Sequence, residues 1–249
     1  MNTNFIVLGT PRSGSTWFIE TIGKQNDILI GGDKHTNFEA FNAINALEMS
    51  NLLNNHVFDN QTIFDYYLKL KLQQNKVYLG FKSFPTWHWD LRKLINDNNL
   101  NIILLLRKSF FKTVGSLAIA YRENNFLLPS IEHKKLDFTN DTLFSRHFYL
   151  LINSVANSIY MAENWFTNSP IVIDKIYYED IVKQNNYVNK NINNYFQREI
   201  IFSTDQVDRP WQDYFLEPEK VKNFVQHLWK KAPHHYGALP DYVQEEVLG

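Results

Sequence analysis

The chain of 249 residues contains no cysteine. That single absence excludes a disulfide framework, thiolate-bound zinc, iron–sulfur clusters and a cysteine nucleophile. Glycine and proline are scarce, at 9 and 8 residues. No linker rich in Pro, Gly or Ser and no internal repeat divides the sequence, so residues 1–249 are expected to form one domain. Neither sign of charge is in excess: 25 Lys+Arg against 26 Asp+Glu leave a net charge of −1. Bulk electrostatic capture of nucleic acid needs a basic face, so nucleic acid is not an expected partner, and any anion site must be local. Long apolar runs are missing as well. Ile102 to Leu106 falls far short of the ~20 residues that span a bilayer. Phe5 to Leu8 is too short, and too poor in flanking basic residues, for a secretory signal. We expect a soluble, cytoplasmic protein without a membrane span; no segment has a pattern that demands a partner chain.

Hydrophobic residues make up 44% of the chain and charged residues 20%, enough apolar content for a sizeable core and too little charge for disorder. Short, nearly continuous apolar runs at Asn4 to Gly9, Val77 to Lys82 and Asn101 to Leu106 read as strands buried on both faces, with Ile171 to Ile176 as a fourth. Helical spacing occurs between them, over Thr16 to Ile22, Leu91 to Ile95, Phe110 to Tyr121 and Leu143 to Phe166. Strands that alternate with helices imply βαβ units. The expected fold class is α/β: a single P-loop-type domain with a central parallel sheet flanked by helices. From Tyr187 onward the chain is polar, aromatic and turn-rich, and irregular structure with short helices is expected there.

The most informative run is Phe5-Ile6-Val7-Leu8-Gly9-Thr10-Pro11-Arg12-Ser13-Gly14-Ser15-Thr16-Trp17. A strand enters a tight loop carrying Gly9 and Gly14, and a helix leaves it. Backbone N–H groups at such a helix start converge on an anion, and the helix dipole adds to the field. Ser13, Ser15 and Thr16 add hydroxyls, and Arg12 adds a forked, permanently charged donor. The spacing from Gly9 to Gly14 fits the nucleoside-triphosphatase pattern G-x-x-x-x-G-K-[ST], but Ser15 stands in the lysine position and the cation lies at Arg12. Where a triphosphatase commonly offers an Asp to hold magnesium, the strand from Asn101 runs into Leu106-Arg107. The loop is therefore expected to hold a phosphate group without magnesium.

That strand end supplies a second motif, Leu106-Arg107-Lys108-Ser109 followed by Gly115-Ser116-Leu117. Arg107 would sit at the carboxyl end of a parallel strand, where open α/β sheets place their ligand crevice. Ser116, nine residues on, could turn its hydroxyl to the same anion, and Ser109 could cap the intervening helix. Two strand ends of this kind imply one ligand with two separated phosphates.

These segments resemble the sulfotransferases that use 3′-phosphoadenosine 5′-phosphosulfate (PAPS). Thr10 to Trp17 resembles that family's 5′-phosphosulfate loop, and Leu106 through Leu117 resembles its 3′-phosphate segment. The wording Pro11-Arg12-Ser13-Gly14-Ser15-Thr16 is most similar to the bacterial carbohydrate branch typified by trehalose 2-sulfotransferase. Ile176-Tyr177-Tyr178-Glu179-Asp180-Ile181 resembles the Tyr-Glu-Asp-Leu segment that follows a later strand in the family. The resemblance implies that Arg12 contacts the sulfuryl group and bridging oxygen, and that Ser13, Gly14, Ser15, Thr16 and Trp17 cradle the 5′-phosphate side. It implies that Arg107 and Ser116 hold the 3′-phosphate, and that Arg209 in Val207-Asp208-Arg209-Pro210-Trp211 stands for a basic segment late in the chain. PAPS is then the co-substrate and adenosine 3′,5′-bisphosphate (PAP) the product, and no metal is expected; adjacent His234 and His235 lack the ligand partners of a metal site.

One departure concerns the base. Family members of the eukaryotic cytosolic type carry Lys-x-His at the second strand's end, whereas this chain reads Lys82-Ser83-Phe84. Lys82 matches; the histidine is absent. The carbohydrate branch places a Glu after the first helix, and Asn37-Phe38-Glu39-Ala40-Phe41 resembles that run. Glu39 is the expected base, with His35, Asp33 and His88 as alternatives. Phe38, Phe41, Trp87 and Trp89 are candidates for an acceptor pocket, with Tyr121 and Trp211 behind them. The expected reaction is sulfuryl transfer to a hydroxyl or amine of a small-molecule or carbohydrate acceptor. A P-loop small-molecule kinase using ATP and a catalytically inactive nucleotide-binding relative are the competing readings. On the leading reading, Glu39→Gln should retain PAP binding in a titration and lose roughly 10²–10⁴-fold in turnover; full turnover in that variant would move the base elsewhere.

Overall fold

The computed structural model describes residues 3–32, 41, 59–85, 91–123, 134–138, 142–168, 172–183, 186–202 and 210–249. Its centre is a parallel sheet of β1 (Asn4–Gly9), β2 (Ile28–Ile30), β3 (Tyr78–Ser83), β4 (Asn101–Leu106) and β5 (Val172–Tyr177). The order across the sheet is β2-β3-β1-β4-β5. Between and after these strands lie α1 (Ser15–Gly23), α2 (Asn60–Gln73), α3 (Leu91–Asp97), α4 (Phe110–Glu123), α5 (Thr142–Thr167), α6 (Tyr178–Val182) and α7 (Asn186–Phe196). A 3-10 turn at Trp211–Tyr214 leads to α8 (Pro218–Lys231), α9 (Pro233–Tyr236) and α10 (Asp241–Leu248).

The apolar runs form strands because both of their faces are covered. Successive side chains of a strand point to opposite faces. Ile6 and Leu8 of β1 accordingly pack with Leu79, Phe81, Ile102, Leu104 and Leu106 under α2, α3 and the end of α5. Phe5 and Val7 pack on the other face with Ile103, Leu105 and Ile176 under α1 and α7. Gly80 sits where a methyl group would come within 2.3 Å of the Phe5 ring, so the absence of a side chain in β3 makes room for the aromatic beside it. A third apolar cluster joins α4 and α5 to α8 and α10 beyond the sheet, with Phe110, Val114, Phe148, Val225 and Val247 among its members.

Two expectations need correction. A short strand, β2, was absent from the sequence reading; its three residues Ile28, Leu29 and Ile30 pair with β3. The region after Tyr187, expected to be irregular with short helices, does carry helices, but α7 and α8 are longer than that expectation. The reason is a narrow apolar stripe at helical spacing: Val221, Val225 and Trp229 are buried along α8 while its other positions are largely charged or polar. Val243 and Val247 do the same for α10.

Candidate active site

The sheet topology itself selects the place. After β1 the chain crosses toward β2 and β3, and after β4 it crosses toward β5, so the switch point of this sheet lies between β1 and β4. Ligands of open parallel sheets bind outside the carboxyl ends of the strands at such a point. Gly9 lies opposite Leu105 in the β1–β4 register, so the loop after β1 and Arg107 leave the sheet side by side. Leu106 lies opposite Tyr177, which brings Tyr178 next to Arg107. Leu8 lies opposite Ser83, which brings Lys82 to the other flank of the loop.

The loop is bent by two residues with left-handed backbone, Arg12 at φ 66° and Gly14 at φ 82°. For a non-glycine residue that conformation costs of order 1–3 kcal/mol and persists only where its surroundings impose it. The Ser13 N–H donates to the Thr10 carbonyl at 3.1 Å, and α1 begins with the Phe18 N–H donating to the Gly14 carbonyl at 2.9 Å. The N-cap of this helix is Gly14, which has no side chain to cap it. The first N–H groups of a helix have no intrahelical acceptor, so the start of α1 presents donors to an anion. Inside the loop, the Ser13 hydroxyl is buried without a hydrogen-bond partner among the described residues. An unsatisfied buried hydroxyl of this kind is what an oxyanion of a ligand would complete.

Charged side chains close on the loop from both flanks. The Arg12 Nε donates to Ser116 Oγ at 3.0 Å, which joins the first motif to the second across 104 residues of sequence. Burial, and then the like charge of Arg107, push the Arg12 guanidinium below its ordinary pKa. Arg107 stacks on the Tyr178 ring at 4.7 Å, and its Nε is buried without a hydrogen-bond partner among the described residues. Lys82 is 1% exposed and donates to Thr16 Oγ1 at 2.9 Å. Positive charge, an open helix start and two orphaned buried polar groups thus meet at one switch point. The arrangement is suited chemically to a polyanion and to stabilising negative charge that develops on one.

The structure brings Arg12, Ser13, Gly14, Ser15, Thr16, Lys82, Arg107 and Ser116 together at these strand ends. Trp17, half-buried, packs edge-on against Tyr178 at 5.8 Å and tilts on Phe202 at 5.3 Å. His35, Glu39 and Arg209 lie outside the described residues, as do Asp33, His88, Phe38, Trp87 and Trp89. Phe41 is corrected: it is 3% exposed and packs on Phe81 at 4.9 Å, so it is core and not pocket wall. Trp211 likewise stacks on Phe111 at 4.5 Å. Among the described residues, no group of three or more His, Asp or Glu is placed to hold a metal ion, and no helix is long and apolar enough to cross a membrane.

Three residues that sequence reasoning left without a role belong to this site's frame. Tyr178 supports both Arg107 and Gly14. Glu179 is buried and accepts the Lys108 N–H at 2.9 Å. Glu246 of α10 accepts from Ser109 Oγ and the Phe110 N–H. The Tyr-Glu-Asp resemblance pointed at the first two; no local signal points at Glu246. The expectation for Ser109 holds: its hydroxyl accepts the Lys112 N–H at 3.1 Å as the cap of α4.

No protein-family model matches the sequence, and no curated protein matches it significantly. Among solved structures, the chain is similar to a sulfotransferase from Alicyclobacillus acidocaldarius, with a TM-score of 0.53 and 12% sequence identity over 96% of this chain and 95% of that one. At that identity the likeness is one of fold: a central parallel sheet flanked by helices over essentially the whole length.

Gly14 is the position at which the loop is least able to change. A methyl group there would fall 2.4 Å from the Tyr178 ring, on a backbone already at φ 82°. Gly14→Ala should cost about 1–3 kcal/mol from backbone strain alone, read as a lowered Tm. Adding Tyr178→Ala should recover only the part due to the clash. A wild-type Tm for Gly14→Ala would contradict the loop geometry.

Proposed function

We propose that this chain is a PAPS-dependent sulfotransferase, its sulfotransferase domain spanning residues 1–249, that transfers a sulfuryl group to a hydroxyl or amine of a small-molecule or carbohydrate acceptor. The observation that carries the proposal is that the start of α1, Arg107 and Ser116 meet at adjacent strand ends, with Arg12 hydrogen-bonded to Ser116. A nucleotide with phosphates at both its 5′ and 3′ positions matches the two strand ends. The fold likeness to a sulfotransferase supports the same reading.

In this reading the acceptor oxygen or nitrogen forms a bond to sulfur as the bond from sulfur to the bridging phosphate oxygen breaks, and PAP leaves. Charge builds on that phosphate oxygen in a loose, in-line transition state. Arg12, the α1 N–H groups and Lys82, which is tied to Thr16, are the groups of this chain that would stabilise it. Arg107 and Ser116 would orient the donor by its 3′-phosphate. Glu39 would take the acceptor's proton, a role that rests on the Asn37 to Phe41 run of the sequence. A magnesium-dependent kinase fits less well, because Ser15 fills the lysine position and β4 runs directly into Arg107.

A thermal-shift titration with PAP tests the donor. A ligand that binds only the folded state adds about 2.7 kcal/mol at 100 times its dissociation constant. PAP should raise Tm for the wild type and much less for Arg107→Ala, whereas ATP with magnesium should not. A shift with ATP–magnesium and none with PAP would contradict the proposal and favour the kinase.

A further inference from the structure

The turn that follows Arg107 is held by two carboxylates from distant parts of the chain. Glu179, from α6, accepts the Lys108 N–H at 2.9 Å. Glu246, from α10, accepts from both the Ser109 hydroxyl and the Phe110 N–H, across 136 residues in the latter case. Ser109 in turn accepts the Lys112 N–H. The donors at the start of α4 are therefore taken by the protein's own side chains. At α1 the cap residue is Gly14, which has no side chain to take those donors.

The two helix starts at the switch point thus have different assignments, one open to a ligand and one closed. Closing α4 has a geometric consequence. Arg107 precedes the capped turn, and Ser116 lies six residues into the helix that begins at Phe110. At 1.5 Å per residue that stretch is a rigid spacer of roughly 9 Å. A first turn that frayed or rotated would move the Ser116 hydroxyl relative to Arg107. The anchoring is not only polar. Val243 and Val247 of α10 pack in the same apolar cluster as Phe110 and Val114 of α4, so the carboxylate is carried on an element docked against the helix that it caps. Burial raises the Glu246 carboxyl above its ordinary pKa, and the hydrogen bonds from Ser109 and from the Phe110 and Phe111 N–H groups oppose that rise. With the Phe110 N–H taken by Glu246 and the Lys112 N–H by Ser109, the start of α4 has few donors left for a second phosphate, which leaves Arg107 and Ser116 as its receptors.

We propose that Glu246 is a positioning residue for 3′-phosphate recognition: by capping α4 it fixes the separation of Arg107 and Ser116 and keeps the ligand's anions off that helix start. The inference rests on the sulfotransferase reading of the site. Neither the sequence resemblance nor the fold likeness assigns Glu246 a role.

The test compares PAP with adenosine 5′-phosphate, which lacks the 3′-phosphate, by isothermal titration of the wild type, Glu246→Gln and Ser109→Ala. Wild type should prefer PAP. Glu246→Gln keeps the side chain's size but replaces one acceptor by a donor; its PAP affinity should fall about tenfold, the scale of one lost hydrogen bond to a charged group. Its affinity for adenosine 5′-phosphate should stay within about twofold, since α1 is untouched. Ser109→Ala, which removes the hydroxyl and leaves the Phe110 N–H on Glu246, should move the preference the same way by less. If Glu246→Gln does not fold, Ser109→Ala carries the comparison alone. An unchanged preference, or an equal loss for both nucleotides, overturns the positioning role. A wild type with no preference for PAP overturns the sulfotransferase reading beneath it, an outcome visible before any variant is measured.

Discussion

The approach of Arg12 and Arg107 at the ends of two adjacent parallel strands is the constraint on which the rest of the site depends. Like charges in a partly buried setting raise each other's free energy, and the pKa of Arg12 is depressed first by burial and then by the charge of Arg107. What surrounds them holds them in place. Ser116 accepts from Arg12, the Tyr178 ring lies against Arg107, and the strained backbone of Arg12 is imposed by the loop on either side of it. On the proposed function, a polyanion between the two guanidiniums would convert the repulsion into attraction, so the geometry that costs stability in the free protein would supply affinity and orientation in the complex.

The sheet makes this possible at little further cost. Because β1 and β4 are neighbours whose connections depart in opposite directions, their carboxyl ends open a crevice without any loop having to be built for it. The buried apolar runs of both strands then serve two ends at once. They anchor the sheet through Phe5, Val7, Ile103 and Leu105 on one face and Ile6, Leu8, Ile102 and Leu104 on the other. They also deliver the loop and Arg107 at a separation set by strand pairing. Helices α4, α8 and α10 form a further apolar cluster, and through Glu246 that cluster reaches back to the site.

Much of this was legible in the sequence, and the parts that were not share a cause. The bounds of β1 and β4 follow directly from continuous apolar runs, whereas β3 and β5 lie one residue later than expected because pairing, not apolarity, sets their ends: Ser83 pairs with Leu8 and Tyr177 with Leu106. The loop from Gly9 to Trp17 was readable because its glycines, hydroxyls and arginine are contiguous. By contrast β2 is three residues long and held by pairing with β3, which local pattern does not reveal. Phe41 was misread because an aromatic beside a candidate catalytic run looks the same whether it lines a pocket or packs on Phe81. Of the two caps of α4, Ser109 was readable and Glu246 was not: the two are 137 residues apart, and nothing in the neighbourhood of Ser109 indicates Glu246.

The central claim is that both strand ends serve one bisphosphorylated nucleotide, and a crystal structure of the protein with PAP tests it most directly. The account predicts the 5′-phosphate on the N–H groups at the start of α1 and the 3′-phosphate between the Arg107 guanidinium and the Ser116 hydroxyl. A nucleotide with only one phosphate in the crevice, or with its 3′-phosphate held elsewhere than by Arg107 and Ser116, would contradict it.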